Sequence, residues 1–251
     1  MNPTQAPAAM ERSRHPDLAP QPDDDRSSHA LRQAIGYLGV TLPIFLWILA
    51  RARSVGGFPG WEPLDSISQY YHSGAVALLT GSLALLAMFL FIYRGFDNPE
   101  GLLDRRLAKI AGLAALGVSF FPTRAHAPFI GPDWWLDWMM KAHYASAVVL
   151  FLSFIVYSLV LFPKSSAGEA KDPDKTRRNR IYRLCGWGMV VCVIAAGIIG
   201  AQDGPIVVPE AIALALFGWS WLTKGRVVYT WKRWEERARS RLTARPARPA
   251  F

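Results

Sequence analysis

The stretch GAVALLTGSLALLAMFLFIY, residues 74–93, runs for twenty residues without a charge. A helix rises about 1.5 Å per residue, so this run covers about 30 Å, the hydrocarbon thickness of a bilayer. Directly before it stands Asp65-Ser66-Ile67-Ser68-Gln69-Tyr70-Tyr71-His72-Ser73. A carboxylate, hydroxyls, phenols and an imidazole are an unusual way to enter a membrane span. If these residues continue the helix backwards, Asp65, Ser68, Gln69 and His72 fall at i, i+3, i+4 and i+7 and share one face. That face would line a bundle at the edge of the bilayer.

Working outward, the same kind of block recurs. Besides 74–93, apolar runs cover Leu31 to Ala50, Leu107 to Phe121, His143 to Phe162, Ile181 to Ala201 and Ile206 to Leu222. A chain of 251 residues, 51% of them hydrophobic, could build one or two soluble domains. Here the apolar residues gather in span-length blocks, which predicts an all-α, polytopic membrane bundle of six transmembrane helices. Residues 1–30 read as a disordered cytoplasmic tail, 31–223 as the six-helix domain, and 224–251 as a basic cytoplasmic tail. Pro43 inside the first span predicts a kink. Ala111, Ala115 and Ser119 recur every fourth residue, a spacing that lets helices approach closely in lipid. Cys185 and Cys192 are seven residues apart in one helix, about 10 Å, too far to bond, and read as small buried hydrophobes. Trp134, Trp135 and Trp138 read as an interfacial anchor helix.

The charges orient the bundle. The net charge is +9. Four Lys or Arg fall in the N-terminal tail, four in the second connection, seven in the fourth and nine in the C-terminal tail, 24 of the 28 in the chain. Only Arg51, Arg53, Arg124 and Lys141 fall on the other side. This asymmetry predicts a multi-pass protein of an inner (plasma) membrane with both termini inside. The basic side would meet anionic lipid head groups. Nucleic acid is not expected, because no helix-turn-helix, zinc finger or stacking platform accompanies the charge.

That topology gathers polar residues at the outer side: Asp65, Ser68, Tyr71 and His72 from one connection, His126 and His143 from the next, Asp203 from the third. Imidazoles and carboxylates together can hold zinc, which needs three protein ligands and keeps a fourth position for water. His72 and His143 are the candidate ligands, with the third from His126, Asp65 or Asp203. The bland alternative is that His72 and His143 are interfacial caps bonded to carboxylates or backbone. Glu210, near the start of the sixth span, is accounted for equally by the helix dipole.

Several stretches, in order, carry a resemblance. They are Ser66 to Ser73, Tyr93-Arg94-Gly95-Phe96-Asp97, Phe121-Pro122-Thr123, His143 to Ala147, Arg178 to Gly186, and Phe217 to Gly225. Together they resemble a family of bacterial six-span membrane proteins known mainly as a domain of unknown function. Ser68-Gln69-Tyr70-Tyr71-His72 is also similar to the Ser-x-x-x-His of the alkaline ceramidase and adiponectin-receptor superfamily of membrane zinc hydrolases. The seven spans and the late His-x-x-x-His of that superfamily are missing from this chain.

Two functions follow as expectations. The first is metal-dependent hydrolysis of a lipid or other amphiphile. Metal-bound water would be the nucleophile, Asp65 or Asp203 the base, and Ser68 or Tyr71 the oxyanion stabiliser. The second is a non-enzymatic membrane protein that binds or transports a small lipid-like ligand. Haem ligation by His72 and His143 fits less well, because both lie at a span's edge rather than within it.

Overall fold

The computed structural model describes residues 22–52, 62–93, 95, 101–126, 129–164 and 173–227. The expected tail before residue 22, the first connection around Gly57, the basic loop at 165–172 and the C-terminal tail with Trp231 and Trp234 lie outside the described residues.

Among the described residues the chain is all-helical. The α-helices are α1 (Pro22–Ala52), α2 (Val76–Ile92), α3 (Gly101–Phe120), α4 (Asp137–Val156), α5 (Pro173–Gly200) and α6 (Val207–Lys224). Each overlaps one apolar block of the sequence. A π-helical turn, Tyr157–Leu161, continues α4, and a 3-10 helix, Ile67–His72, precedes α2. Three helical stretches are long and apolar enough to cross a membrane: His29–Arg51, Asp137–Leu161 and Lys175–Gly200; Val76–Ile92 is apolar but shorter.

Three expectations change. The helix of the first span begins at Pro22, inside the stretch expected as tail. α5 likewise begins at Pro173, inside the fourth connection, Pro163 to Arg180, which the sequence reads as a basic, solvated loop. The Trp cluster is not a separate helix: Trp134 stands in a turn, and Trp138 is in the first turn of α4.

The helices pack as a closed ring in chain order, each against the next and α6 back against α1. Close approach comes from small residues, because in lipid the contact rests on packing rather than on water exclusion. At the α1–α6 contact, a Cβ on Gly218 would lie 2.5 Å from the Gly36 carbonyl oxygen and 2.7 Å from the Val40 nitrogen. Between α2 and α3, Ala111, Ala115 and Ser119 are buried, and the Ser119 hydroxyl donates to the Thr80 carbonyl at 3.2 Å. Cys185 and Cys192 are free and buried, as expected.

The end of the ring opposite the 3-10 helix is filled by aromatic rings. Phe154 stacks on Phe217, and Tyr93, Tyr157 and Phe162 surround Trp221 with centroids 5.2–5.3 Å away. Every helix also turns large apolar side chains outward: Phe45, Met88, Leu113, Leu152, Trp187 and Ile212 are each about half or more exposed. An apolar perimeter of this extent is suited to lipid rather than to water.

Candidate functional site

The residues from Ile67 to His72 do not continue α2 backwards. They fold as their own 3-10 helix, bounded by Ser66 and Ser73 in extended conformation. The Ser66 hydroxyl accepts from the Gln69 amide at 3.2 Å, and the Ser73 hydroxyl donates to the Tyr70 carbonyl at 2.8 Å. A 3-10 helix repeats every three residues, so Gln69 and His72 stand one above the other. Both reach consecutive carbonyls just beyond α3. Gln69 Nε2 donates to the Arg124 oxygen at 3.0 Å and His72 Nε2 to the Thr123 oxygen at 2.9 Å.

A second fastening joins the 3-10 helix to α6. Both have unpaired amides at their N-termini. The Asp65 carbonyl accepts from Ile206 and Val207 N–H at 2.7 and 2.8 Å, closing the start of α6. In return, Glu210 Oε2, from the first turn of α6, accepts from the Ile67 amide at 2.7 Å. Each segment caps the other. Glu210 therefore serves the amides of the 3-10 helix rather than those of its own.

These bonds hold Ser68 over His143, which lies two turns into α4 and is 4% exposed. His143 Nδ1 is 2.6 Å from the Phe121 carbonyl oxygen. A carbonyl only accepts, so this nitrogen carries the proton. In the neutral ring Nε2 is then an acceptor, and Ser68 Oγ stands 2.8 Å from it. The chain of bonds runs Ser68 O–H to His143 Nε2, then Nδ1–H to Phe121 C=O.

Ser68, His143 and Glu210 meet at one end of an internal cavity of about 70 Å³, room for about five waters. The rest of its wall is apolar apart from Ser82 and comes from five helices: Leu42 of α1, Leu83 of α2, Val118 of α3, Phe154 of α4 and Phe217 of α6 typify it. Along α4 the lining runs from His143 to Phe154, about 16 Å at 1.5 Å per residue. The cavity is thus a slot with a polar head and an apolar body, blocked at its far end by the stacked Phe154 and Phe217.

The other residues singled out from the sequence are placed differently. His72 is half-buried, and burial lowers its pKa below the usual histidine value while the Thr123 carbonyl works the other way. Tyr71 packs edge-on against His72 with centroids 5.4 Å apart. The Asp65 carboxylate and His126 are exposed at the rim, 3.9 Å apart. Asp203 is exposed in the turn before α6, at φ 55, a left-handed conformation that Asp tolerates better than most residues. Arg124 pairs with Asp137 at 2.7 Å and lies over the Trp135 ring, whose Nε1 donates to the Pro122 carbonyl at 3.0 Å.

His72, His143 and His126 thus turn to three different partners: a carbonyl, the Ser68–Phe121 pair, and Asp65. Among the described residues no three His, Cys, Asp or Glu side chains gather where one ion could be held. The pairing of Ser68 with His143 joins residues 75 positions apart, and no local spacing announces it. Glu210 carried a sequence signal, an acid inside an apolar run, but its partner did not. No family model matches the chain, and neither a curated protein nor a solved structure matches it.

Proposed function

We propose that this is a six-span protein of a bacterial plasma membrane, with both termini cytoplasmic, that hydrolyses an acyl bond of a lipid-like amphiphile. Six helices in a closed ring, each with an apolar outer face, support the six spans. Among the described residues, Arg105, Arg106, Lys109, Arg180, Arg183 and Lys224 belong to the end opposite the 3-10 helix, while Arg51, Arg124 and Lys141 belong to its own end. By the positive-inside rule the 3-10 helix then faces outward, and the basic end meets anionic head groups.

The observation that carries the hydrolase reading is the polarity of the Ser68–His143–Phe121 chain. A serine hydroxyl donating to a neutral imidazole, whose other N–H is held by an acceptor, is the arrangement that activates an oxygen nucleophile. Ser68 Oγ attacks the acyl carbonyl while Nε2 takes its proton. His143 returns that proton to the leaving group, and water, activated by the same base, frees the acyl chain. The apolar slot beneath seats the chain.

A fluorophosphonate probe added to the detergent-purified protein tests this. Ser68 should be labelled; Ser68→Ala should abolish labelling, and His143→Ala should slow it about 10²–10⁴-fold. Absent labelling, or labelling unchanged in Ser68→Ala, refutes it. Metal-assisted hydrolysis, the expectation from the His residues, would require His143 to exchange Ser68 for an ion. Zinc in the purified protein, lost in His143→Ala, would put that route first. The nearly all-apolar lining favours one other reading, a chain-binding protein without catalysis, which tight chain binding with an unreactive Ser68 would establish.

A further inference from the structure

We infer that the polar head of the cavity selects amphiphiles that carry a protonated amine, and that Glu210 is the residue that reads it. The inference rests on the cavity being a ligand's seat, as proposed above, but not on the hydrolytic step. Among the described residues that line the cavity there is no Lys or Arg; the ionisable ones are Glu210 and His143. His143 has both ring nitrogens engaged, one by Ser68 and one by the Phe121 carbonyl. Glu210 Oε2 takes the Ile67 amide, a neutral partner that supplies one hydrogen bond and no countercharge. A carboxylate at the edge of a membrane span is costly and is retained where it has a partner or a task. An ammonium group would supply the missing charge and further donors, and in a site walled by Leu and Phe such a pair is worth more than in water. The same wall penalises a carboxylate or phosphate head, which would face Glu210 with like charge.

Position supports the same reading. Glu210 opens the lining on α6 as His143 opens it on α4, and both faces continue down the slot to Phe217 and Phe154. A single apolar chain lying in the slot therefore brings its first polar atoms to Ser68, His143 and Glu210 together. The ligand class is a single-chain amphiphile with a primary amine within a few bonds of its chain.

The test compares three probes of equal chain length, dodecylamine, dodecanol and lauric acid, at pH 7, where an alkylammonium, like a Lys side chain, remains protonated. Binding is read on the full-length protein in nanodiscs by displacement of a fluorescent chain probe. Dodecylamine should bind about tenfold tighter than dodecanol or more, and lauric acid weakest. Glu210→Gln keeps an oxygen to accept from the Ile67 amide, so the fold's cap survives while the charge is lost; this variant should bind amine and alcohol equally. Gly197→Ala, where the added methyl meets nothing within 4 Å and lies outside the cavity lining, should leave the preference intact. Equal binding of amine and alcohol to the wild type, or a preference that survives Glu210→Gln, overturns the inference. Failure of Ser68 to react with the fluorophosphonate would remove the hydrolase reading and leave this one standing.

Discussion

Gly218→Ala tests the ring closure on which the cavity depends. The new methyl would lie 2.5 Å from the Gly36 oxygen, 2.7 Å from the Val40 nitrogen and 2.8 Å from Val40 Cγ2. Two of these three atoms are backbone, so no side-chain rotation relieves the clash. Ordinary contact begins near 3.4 Å, so α1 and α6 must separate by about 0.9 Å at this point. A gap of that size forfeits about a quarter to a half of each dispersion contact along the seam. The expected cost is about 1–3 kcal/mol, the usual range for overpacking, set against about 1 kcal/mol gained from the better helix propensity of Ala. Gly197→Ala is the control, because a Cβ there meets nothing within 4 Å and only the propensity gain remains. Thermal unfolding in one detergent should rank Gly197→Ala at or above wild type and Gly218→Ala below it. Gly36→Ala presses on the same contact, so its cost should not add fully to that of Gly218→Ala. If Gly218→Ala is as stable as Gly197→Ala, the close α1–α6 seam is wrong.

Other expectations can be checked in parallel. Reporter fusions at Gly131 and Gln202 should be outside and a fusion at Ala167 inside; an inside result at Gly131 sinks the six-span topology. Glu210→Ala should lower stability by about 1.5–3 kcal/mol, a charge-assisted bond lost at the Ile67 amide, while Glu210→Gln should lose far less in the same melt. Burial depresses the His72 pKa, so the unfolded chain binds the proton more readily than the folded one. Stability should then fall as pH drops below about 6.5, and His72→Gln should flatten part of that slope in melts recorded between pH 7.5 and 5. Trp135→Phe removes the donor to the Pro122 carbonyl and should cost about 1 kcal/mol, read as a drop of a few degrees in Tm.

The helices were legible because each apolar block is long enough to form one: each of the six overlaps one α-helix, while the polar starts of α1, α3, α4 and α5 were missed. The 3-10 helix was not legible for a geometric reason. Over six residues, a period of 3 and a period of 3.6 place Gln69 and His72 almost alike, and only the extended Ser73 separates the two. The site was half legible. Ser68 and His143 were singled out as odd residues at span edges, yet their roles depend on the carbonyl of Phe121, and a carbonyl leaves no mark in a sequence. His72 is answered by another carbonyl, that of Thr123, so the interfacial-cap alternative describes it. Asp203 and His126 drew attention as charged loop residues, and both stand exposed. Charge near a predicted span end marks depth, and depth alone does not decide which side chains meet.

What decides it here is α6. Its first turn supplies Glu210 to the Ile67 amide and takes the Asp65 carbonyl onto its own leading amides. Its middle closes the ring through Gly218 against Gly36. The 3-10 helix that carries Ser68 is therefore fastened to the same rod that sets the width of the bundle, while His143 sits on α4, fastened through Phe121 to the end of α3. The 3-10 helix is also bonded, through Gln69 and His72, to the Arg124 and Thr123 carbonyls next to Phe121, so the 2.8 Å between Ser68 and His143 depends on both fastenings and shifts if α6 carries the 3-10 helix with it. A seam forced open by about 0.9 Å at Gly218 need not touch the cavity to disturb it, since a hydrogen bond lengthened by a fraction of that is already poor. Reactivity at Ser68 should thus fall in Gly218→Ala at temperatures where the variant is still folded, and hold in Gly197→Ala. Equal reactivity in the two variants would mean that the 3-10 helix follows α4 and not α6.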